Sequence, residues 1–259
     1  MDITSLQNPR IKQVVKLRER RTRDHEGLML VEGIYEIETA RQSGWQPRTI
    51  YVAPELSGKK LVRDAKVELV TVTKSVFEKM SYRENPDGWL AVFPIPERTL
   101  SSLSLSKQPF IIAAESIGKP GNLGAILRTA DAAGVDALLL CDPLTDLYNP
   151  NVVRASRGTV FTVPAVQTTS AQALSWLHER GIKILAATPG ADSPYDAFDM
   201  RQPIAIAVGT EDQGLSDFWL NNADANVRIP MVGVVNSLNV SISTAVIAYE
   251  VVRQRNVKV

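Results

Sequence analysis

The chain has 259 residues, 44% of them hydrophobic and 22% charged, and its 29 Lys and Arg against 28 Asp and Glu leave a formal net charge of +1. That is enough chain for two domains with their own cores, and the charge is too balanced for a molecule whose whole surface recruits nucleic acid or membrane. One cysteine, Cys141, excludes an internal disulfide, and two distant histidines, His25 and His178, leave no zinc-ligand cluster. No apolar run approaches the roughly 20 residues of a membrane span, and MDITSLQNPR has no apolar signal core. The expectation is a cytoplasmic protein without metal or membrane partner.

The first element in chain order is a basic helix over 8–21. The stretch NPRIKQVVKLRERRTR carries Arg10, Lys12, Lys16, Arg18, Arg20, Arg21 and Arg23 against the single acid Glu19. Such a stripe can neutralise RNA phosphates locally, and it can equally be a solvated helix face. Alternation follows: strand LMLV (28–31), a helix from Gly33 to a stop at Gly44, strand TIYVA (49–53), a basic helical turn near 59–66, ELVTV (68–72), TKSVFEKMS (73–81) and GWLAVF (88–93). The proline- and serine-rich PIPERTLSSLSLSKQP (94–109) reads as a connection between domains. The expected organisation is a domain at 1–97, a linker at 98–108 and a second domain at 109–259.

The second half alternates again. FIIAAE (110–115) is a continuous apolar strand, followed by a glycine-bearing loop and the helix LGAILRTADAAG, which stops at Gly134. ALLLCD (137–142), the amphipathic helix SAQALSWLHERG (170–181), and the strands IKILAAT (182–188), PIAIAVG (203–209) and NVRI complete the pattern. Short apolar strands separated by helices predict an α/β fold with a mainly parallel sheet covered on both faces. Ligands of such sheets bind beyond the carboxyl ends of the strands, which directs attention to the loops 115–124, 209–214 and 229–239.

Each of these loops carries polar chemistry. In ESIGKPGNLGAILRTA, Gly118, Gly121 and Gly124 permit close backbone approach, Asn122 offers an amide, and Arg128 lies about one helical turn beyond Gly124. A guanidinium near a helix N-terminus suits a phosphate or a developing oxyanion, although the same pieces also make an ordinary strand-to-helix turn. The strand–glycine loop–helix order also suits a dinucleotide site, but the glycines run G-x-x-G-x-x-G rather than G-x-G-x-x-G. In AVGTEDQGLSD, Gly209 ends a strand, Glu211 and Asp212 follow, and Gly214 leads toward the next helix. In RIPMVGVVNSLNVSIS, one of Ser237 and Asn239 can cap the last helix, which leaves surplus polar groups ahead of an apolar helix.

Taken together, the three loops resemble the signature motifs of the SpoU (TrmH) family of RNA ribose 2′-O-methyltransferases, in the SPOUT superfamily. The matching stretches are PGNLGAILRTA (120–130), VGTEDQGLS (208–216) and IPMVGVVNSLNVSIS (229–243). NPNVVRASRGTVFTVP (149–164) resembles the family's stretch between the first two motifs, with Gly158-Thr159 where Gly-Ala is usual. ITSLQNPRIKQVVKLRERRTR and GLMLVEG are similar to the RNA substrate-binding domain that many members carry.

The resemblance implies a SPOUT-type parallel sheet with a C-terminal trefoil knot, plus a smaller N-terminal α/β RNA-binding domain. It implies S-adenosylmethionine bound against Thr188, Val208, Gly209, Ile229, Pro230, Met231 and Leu238. It implies a catalytic set of Arg128 with Asn122, Glu211, Ser237 and Asn239, and RNA held along Arg10, Lys12, Arg20, Arg21 and Arg23. It implies a homodimer, with the helix 240–255 packed on the partner. The expected activity is S-adenosylmethionine-dependent ribose 2′-O-methylation of large-subunit ribosomal RNA. Transfer RNA as substrate, an inactive ribosome-associated RNA-binding factor and a nicotinamide-dependent oxidoreductase are the alternatives.

Overall fold

The computed structural model describes residues 2–58, 65–210 and 212–256, so most of the helical turn expected near 59–66, and Glu211, lie outside the described residues. The chain divides into two compact units, one formed by Met1–Glu97 with Asp146–Thr162 and the other by Arg98–Thr145 with Val163–Val259. The stretch 146–162 thus groups with the first unit, although it lies within the second half of the sequence.

The first unit runs β1 (Asp2–Ile3), α1 (Pro9–Lys16), α2 (Arg20–Glu26), β2 (Leu28–Glu32), α3 (Ile34–Gln42), β3 (Thr49–Val52), β4 (Glu68–Val72), α4 (Lys74–Met80) and β5 (Trp89–Pro94). Its sheet has the order β1-β4-β3-β5-β2, with β5 antiparallel to both neighbours and the β1–β4 and β3–β4 pairs parallel. Ile11, Val14 and Leu17 from the basic stretch pack on Leu30, Tyr51, Val70, Phe77 and Met80.

The single basic helix expected over 8–21 is two helices, and Arg23 supplies the reason. Its guanidinium donates to the carbonyls of Leu17 and Arg18 at 2.9 and 2.7 Å, satisfying groups that the end of α1 leaves without intrahelical partners. It also pairs with Asp146 at 2.7 Å and is 1% exposed. Arg23 therefore does not offer its charge to RNA; removing it would leave Asp146 buried and unpaired, a loss typically of about 3–5 kcal/mol. Arg18 is likewise committed, donating to the carbonyls of Lys79 and Ser81 beyond α4. Asn8 caps α1 through its side-chain oxygen, and Gly27, at φ +61°, ends α2 in the left-handed region. The helix Pro150–Ser156 packs on β2, and Trp45 donates its Nε1–H to the Phe161 carbonyl at 3.1 Å, which ties the inserted stretch into this unit.

The second unit contains β6 (Phe110–Glu115), α5 (Pro120–Ala132), β7 (Ala137–Cys141), then after α6 (Pro150–Ser156, the helix placed above) β8 (Ala165–Thr168), α7 (Ser170–Glu179), β9 (Lys183–Ala187), β10 (Ser193–Pro194), β11 (Ile204–Val208), α8 (Asp217–Asn222), β12 (Ala225–Arg228) and α9 (Val240–Asn256). All seven strands are parallel, in the order β10-β12-β9-β11-β6-β7-β8. The central strands are buried along their whole length, as a sheet covered on both faces requires. Cys141 is buried at the end of β7, and burial pushes its thiol pKa up, so it behaves as a small hydrophobe. Leu100, Leu103 and Leu105, from the stretch expected to be a linker, pack against the core of this unit. Among the described residues no helix is long and apolar enough to cross a membrane.

Candidate functional site

The strand order builds the site. β11 enters the sheet between β9 and β6, and β12 adds outside β9, so the carboxyl ends of β12, β9 and β11 are neighbours. The chain leaving those three ends, with the start of α9, lines a half-open cavity of about 510 Å³. This lies within the size range of about 300–1,000 Å³ typical of small-molecule sites. Of the residues expected to hold a cofactor, Thr188, Val208, Gly209, Ile229, Met231 and Leu238 line it, and so does Ser237 from the expected catalytic set. Pro230 is exposed beside it without lining it.

Gly209 shapes one wall. It is buried, and a Cβ at this position would fall well inside contact distance of the Gly214 carbonyl and the Leu215 nitrogen. Only a residue without a side chain lets the strand end lie so close to the returning loop. The loop is a tight reversal: Thr210 N–H donates to the Gly214 carbonyl at 3.0 Å, Gly214 N–H returns the bond at 3.1 Å, and Thr210 Oγ1 accepts from Gln213 N–H at 3.0 Å. Gly214 takes φ +71°, the left-handed geometry this reversal needs.

The surplus polar groups of the third loop find distinct uses. Asn239 Oδ1 accepts from Ser241 N–H at 2.9 Å and from Ser241 Oγ at 2.7 Å, so Asn239 caps α9 and Ser241 completes the cap. Asn239 Nδ2 donates to Asn122 Oδ1 at 3.2 Å, which joins the first turn of α5 to the start of α9. Ser237 faces the cavity. Arg128 stands on α5, exposed and outside the cavity lining, and no described residue pairs with its guanidinium.

The first of the three expected loops therefore reaches the site through Asn122 rather than through the cavity wall, and the turn 187–189 takes its place there. Thr210, Asp212, Gln213, Asn236 and Ser243 also line the cavity, in addition to the site residues expected from the sequence. Ser243 had a readable signal, since it follows Asn239 by one helical turn and shares its face. Asn236 and Gln213 had none, because their position depends on how the loops fold back.

Along the basic stripe, Lys12, Arg20 and Arg21 are exposed. Arg20 makes a loose, solvent-facing pair with Asp24 at 3.6 Å, and Arg10 holds Glu68 with two bonds of 2.9 and 2.5 Å. Among the described residues no group of three or more His, Cys, Asp or Glu is placed to hold a metal ion.

Residues 109–249 match the SpoU rRNA Methylase family, and residues 8–91 match the MRM3-like substrate binding domain. A 23S rRNA (uridine(2479)-2′-O)-methyltransferase of Streptomyces viridochromogenes is 33% identical over 253 residues, covering 92% of this chain and 87% of that protein. A crystal structure of an RNA 2′-O ribose methyltransferase superposes with a TM-score of 0.85 at 40% identity, covering 99% of this chain and 100% of its own. The SpoU methyltransferase AviRb from Streptomyces viridochromogenes, solved in complex with the cofactor AdoMet, superposes with a TM-score of 0.88 at 29% identity, covering 96% of this chain and 98% of its own.

Proposed function

The chain belongs to the SpoU rRNA methylase family, and from that premise we propose that it is an S-adenosylmethionine-dependent methyltransferase acting on the ribose 2′-hydroxyl of large-subunit ribosomal RNA. The observation that carries this reading is the cavity at the ends of β12, β9 and β11, which lies beside the Asn122–Asn239 contact. Its lining fits the cofactor: Val208, Ile229 and Leu238 give apolar walls for a flat base, and Gly209 lets main chain come close. Thr210, Asp212, Asn236 and Ser237 offer polar groups for a ribose and an amino-acid tail.

When bound, S-adenosylmethionine supplies an electrophilic methyl group on its sulfonium. The chain's part is to hold that group and the RNA ribose in one geometry, which removes most of the entropic cost of their encounter. Arginine stays charged at neutral pH and is a poor proton acceptor. Arg128 accordingly stabilises the negative charge that grows on the attacking 2′-oxygen, or on the phosphate next to it. Asn122 and Asn239 orient the ribose, with Ser237 at the cavity edge and Glu211 completing the set. The trefoil path expected for the family belongs to this reading, as does action in the cytoplasm.

A homodimer is part of the same proposal. Ile242 and Tyr249 stand seven residues apart on one face of α9, 52% and 51% exposed, and Val232, Val234 and Val235 are exposed on the preceding loop. Large apolar side chains grouped in this way suit burial against a second copy.

The decisive experiment titrates purified protein with S-adenosylmethionine and then supplies ribosomal RNA from a strain lacking the gene. Micromolar binding and one new 2′-O-methyl position in 23S rRNA are expected. A new position in transfer RNA instead would shift the substrate, and binding of a dinucleotide without S-adenosylmethionine would overturn the reading. A second expectation concerns Lys12, Arg20 and Arg21. Reversing Arg20 and Arg21 to glutamate should weaken RNA binding about tenfold or more at low salt, and it should lower the slope of log K against log salt by about 2. An effect independent of salt would remove phosphate contacts from this surface.

A further inference from the structure

Glu115, the last residue of β6, lies outside the cavity and has no part in the chemistry described above, yet it is 8% exposed and both of its carboxylate oxygens accept hydrogen bonds. Oε2 accepts from Ser216 N–H at 2.8 Å, and Oε1 accepts from the Ser216 hydroxyl at 2.7 Å and from the Ser170 hydroxyl at 3.4 Å. Ser170 Oγ in turn accepts from the indole N–H of the fully buried Trp219 at 3.0 Å. Among the described residues no cation pairs with Glu115, so neutral donors alone hold a buried carboxylate. Burying such a group is costly unless its partners are fixed, and here the fixed partners lead to the cofactor wall.

The connection is short. Ala114 pairs with Val208 at the ends of β6 and β11, so Glu115 stands beside the point where Gly209 leaves the sheet. The loop that starts at Gly209 reverses through the Thr210–Gly214 bonds and returns through Leu215 to Ser216, where Glu115 receives it. Gly209, Thr210, Gln213 and Gly214 line the cavity between those two anchors. One end of this wall is fixed by the sheet, and the other by the carboxylate.

We propose that Glu115 is a positioning residue for the cofactor site: by clamping Ser216 through both its N–H and its hydroxyl, it holds the wall of Gly209, Thr210, Gln213 and Gly214 in the shape that receives S-adenosylmethionine. The inference rests on the methyltransferase reading given above and assigns Glu115 no contact with cofactor or RNA. Glutamine keeps the clamp, since its carbonyl accepts from Ser216 N–H and its amide donates to Ser216 Oγ, whereas alanine removes it.

Calorimetric titration with S-adenosylmethionine, followed by steady-state kinetics on the RNA substrate, tests this in the full-length protein. Glu115→Ala should raise the cofactor Kd and KM at least about tenfold, the scale of lost hydrogen bonds to a charged group. Its kcat at saturating cofactor should stay within about threefold, and RNA affinity should be unchanged. Glu115→Gln should restore cofactor binding to within about threefold of the unsubstituted protein, which a loss of negative charge alone would not do. Ser216→Ala keeps the N–H bond and should give a smaller rise, about threefold, and should add little when combined with Glu115→Ala. Should Glu115→Ala fail to fold, Ser216→Ala decides. Cofactor binding within twofold of normal in every folded variant, or a fall in kcat with KM unmoved, overturns the clamp. An unsubstituted protein that does not bind S-adenosylmethionine overturns the methyltransferase reading instead.

Discussion

Arg128→Ala is expected to abolish measurable methyl transfer, a loss of about 10²–10³-fold or more, while the Kd for S-adenosylmethionine stays within a few fold. The division follows from position. Arg128 is on α5, exposed, and absent from the cavity wall, so its removal leaves the cofactor's contacts in place. In the role proposed for it the group it serves is the RNA, whose attacking oxygen gains charge only as the reaction proceeds, so the effect belongs in kcat. Arg128→Lys should recover only part of the rate, because an ammonium offers a point charge where the guanidinium offers a planar fork. Single-turnover methylation at saturating cofactor, beside calorimetric titration of the same samples, separates the two quantities. Loss of cofactor binding in a folded Arg128→Ala protein would refute this division of labour.

The elements were legible where the sequence repeats a period, and the site was legible where it departs from one. FIIAA, ALLLC and IAIAV became the buried strands β6, β7 and β11 because an unbroken apolar run can satisfy its surface only inside a sheet covered on both faces. The two-residue strands β1 and β10 carry too few residues to show any alternation, and α6 is a single seven-residue helix set among turns. Arg23 shows the limit of reading charge by composition. Within the stripe it is indistinguishable from Arg20 and Arg21, and only the fold reveals that it meets Asp146, 123 positions later. The wall residues Gln213 and Asn236 were hidden for the same reason, as was the link from Glu115 to Ser216 across 101 positions. Gly209 and Asn239 were visible because an uncommon residue type at the end of an apolar strand, or at the start of a helix, has a local backbone reason to be there.

Gly209→Ala tests the most demanding of those local reasons, and it should weaken S-adenosylmethionine binding by more than about 100-fold. The added methyl group cannot be accommodated by a side-chain rotation, since the atoms it meets are the backbone carbonyl of Gly214 and the backbone nitrogen of Leu215. Either the end of β11 or the returning loop must shift, and both line the cavity. Overpacking of this kind typically costs about 1–3 kcal/mol of stability, too little to unfold a domain whose seven-stranded sheet is otherwise intact. Binding should therefore disappear at temperatures where circular dichroism still reports a folded protein. Gly233→Ala is the control: a Cβ there meets nothing within 4 Å, and the residue does not occupy the left-handed region, so cofactor affinity should stay within about twofold. If alanine at 209 binds the cofactor as well as alanine at 233 does, the close approach of the two backbones is not what shapes the site, and the cofactor does not rest against this wall.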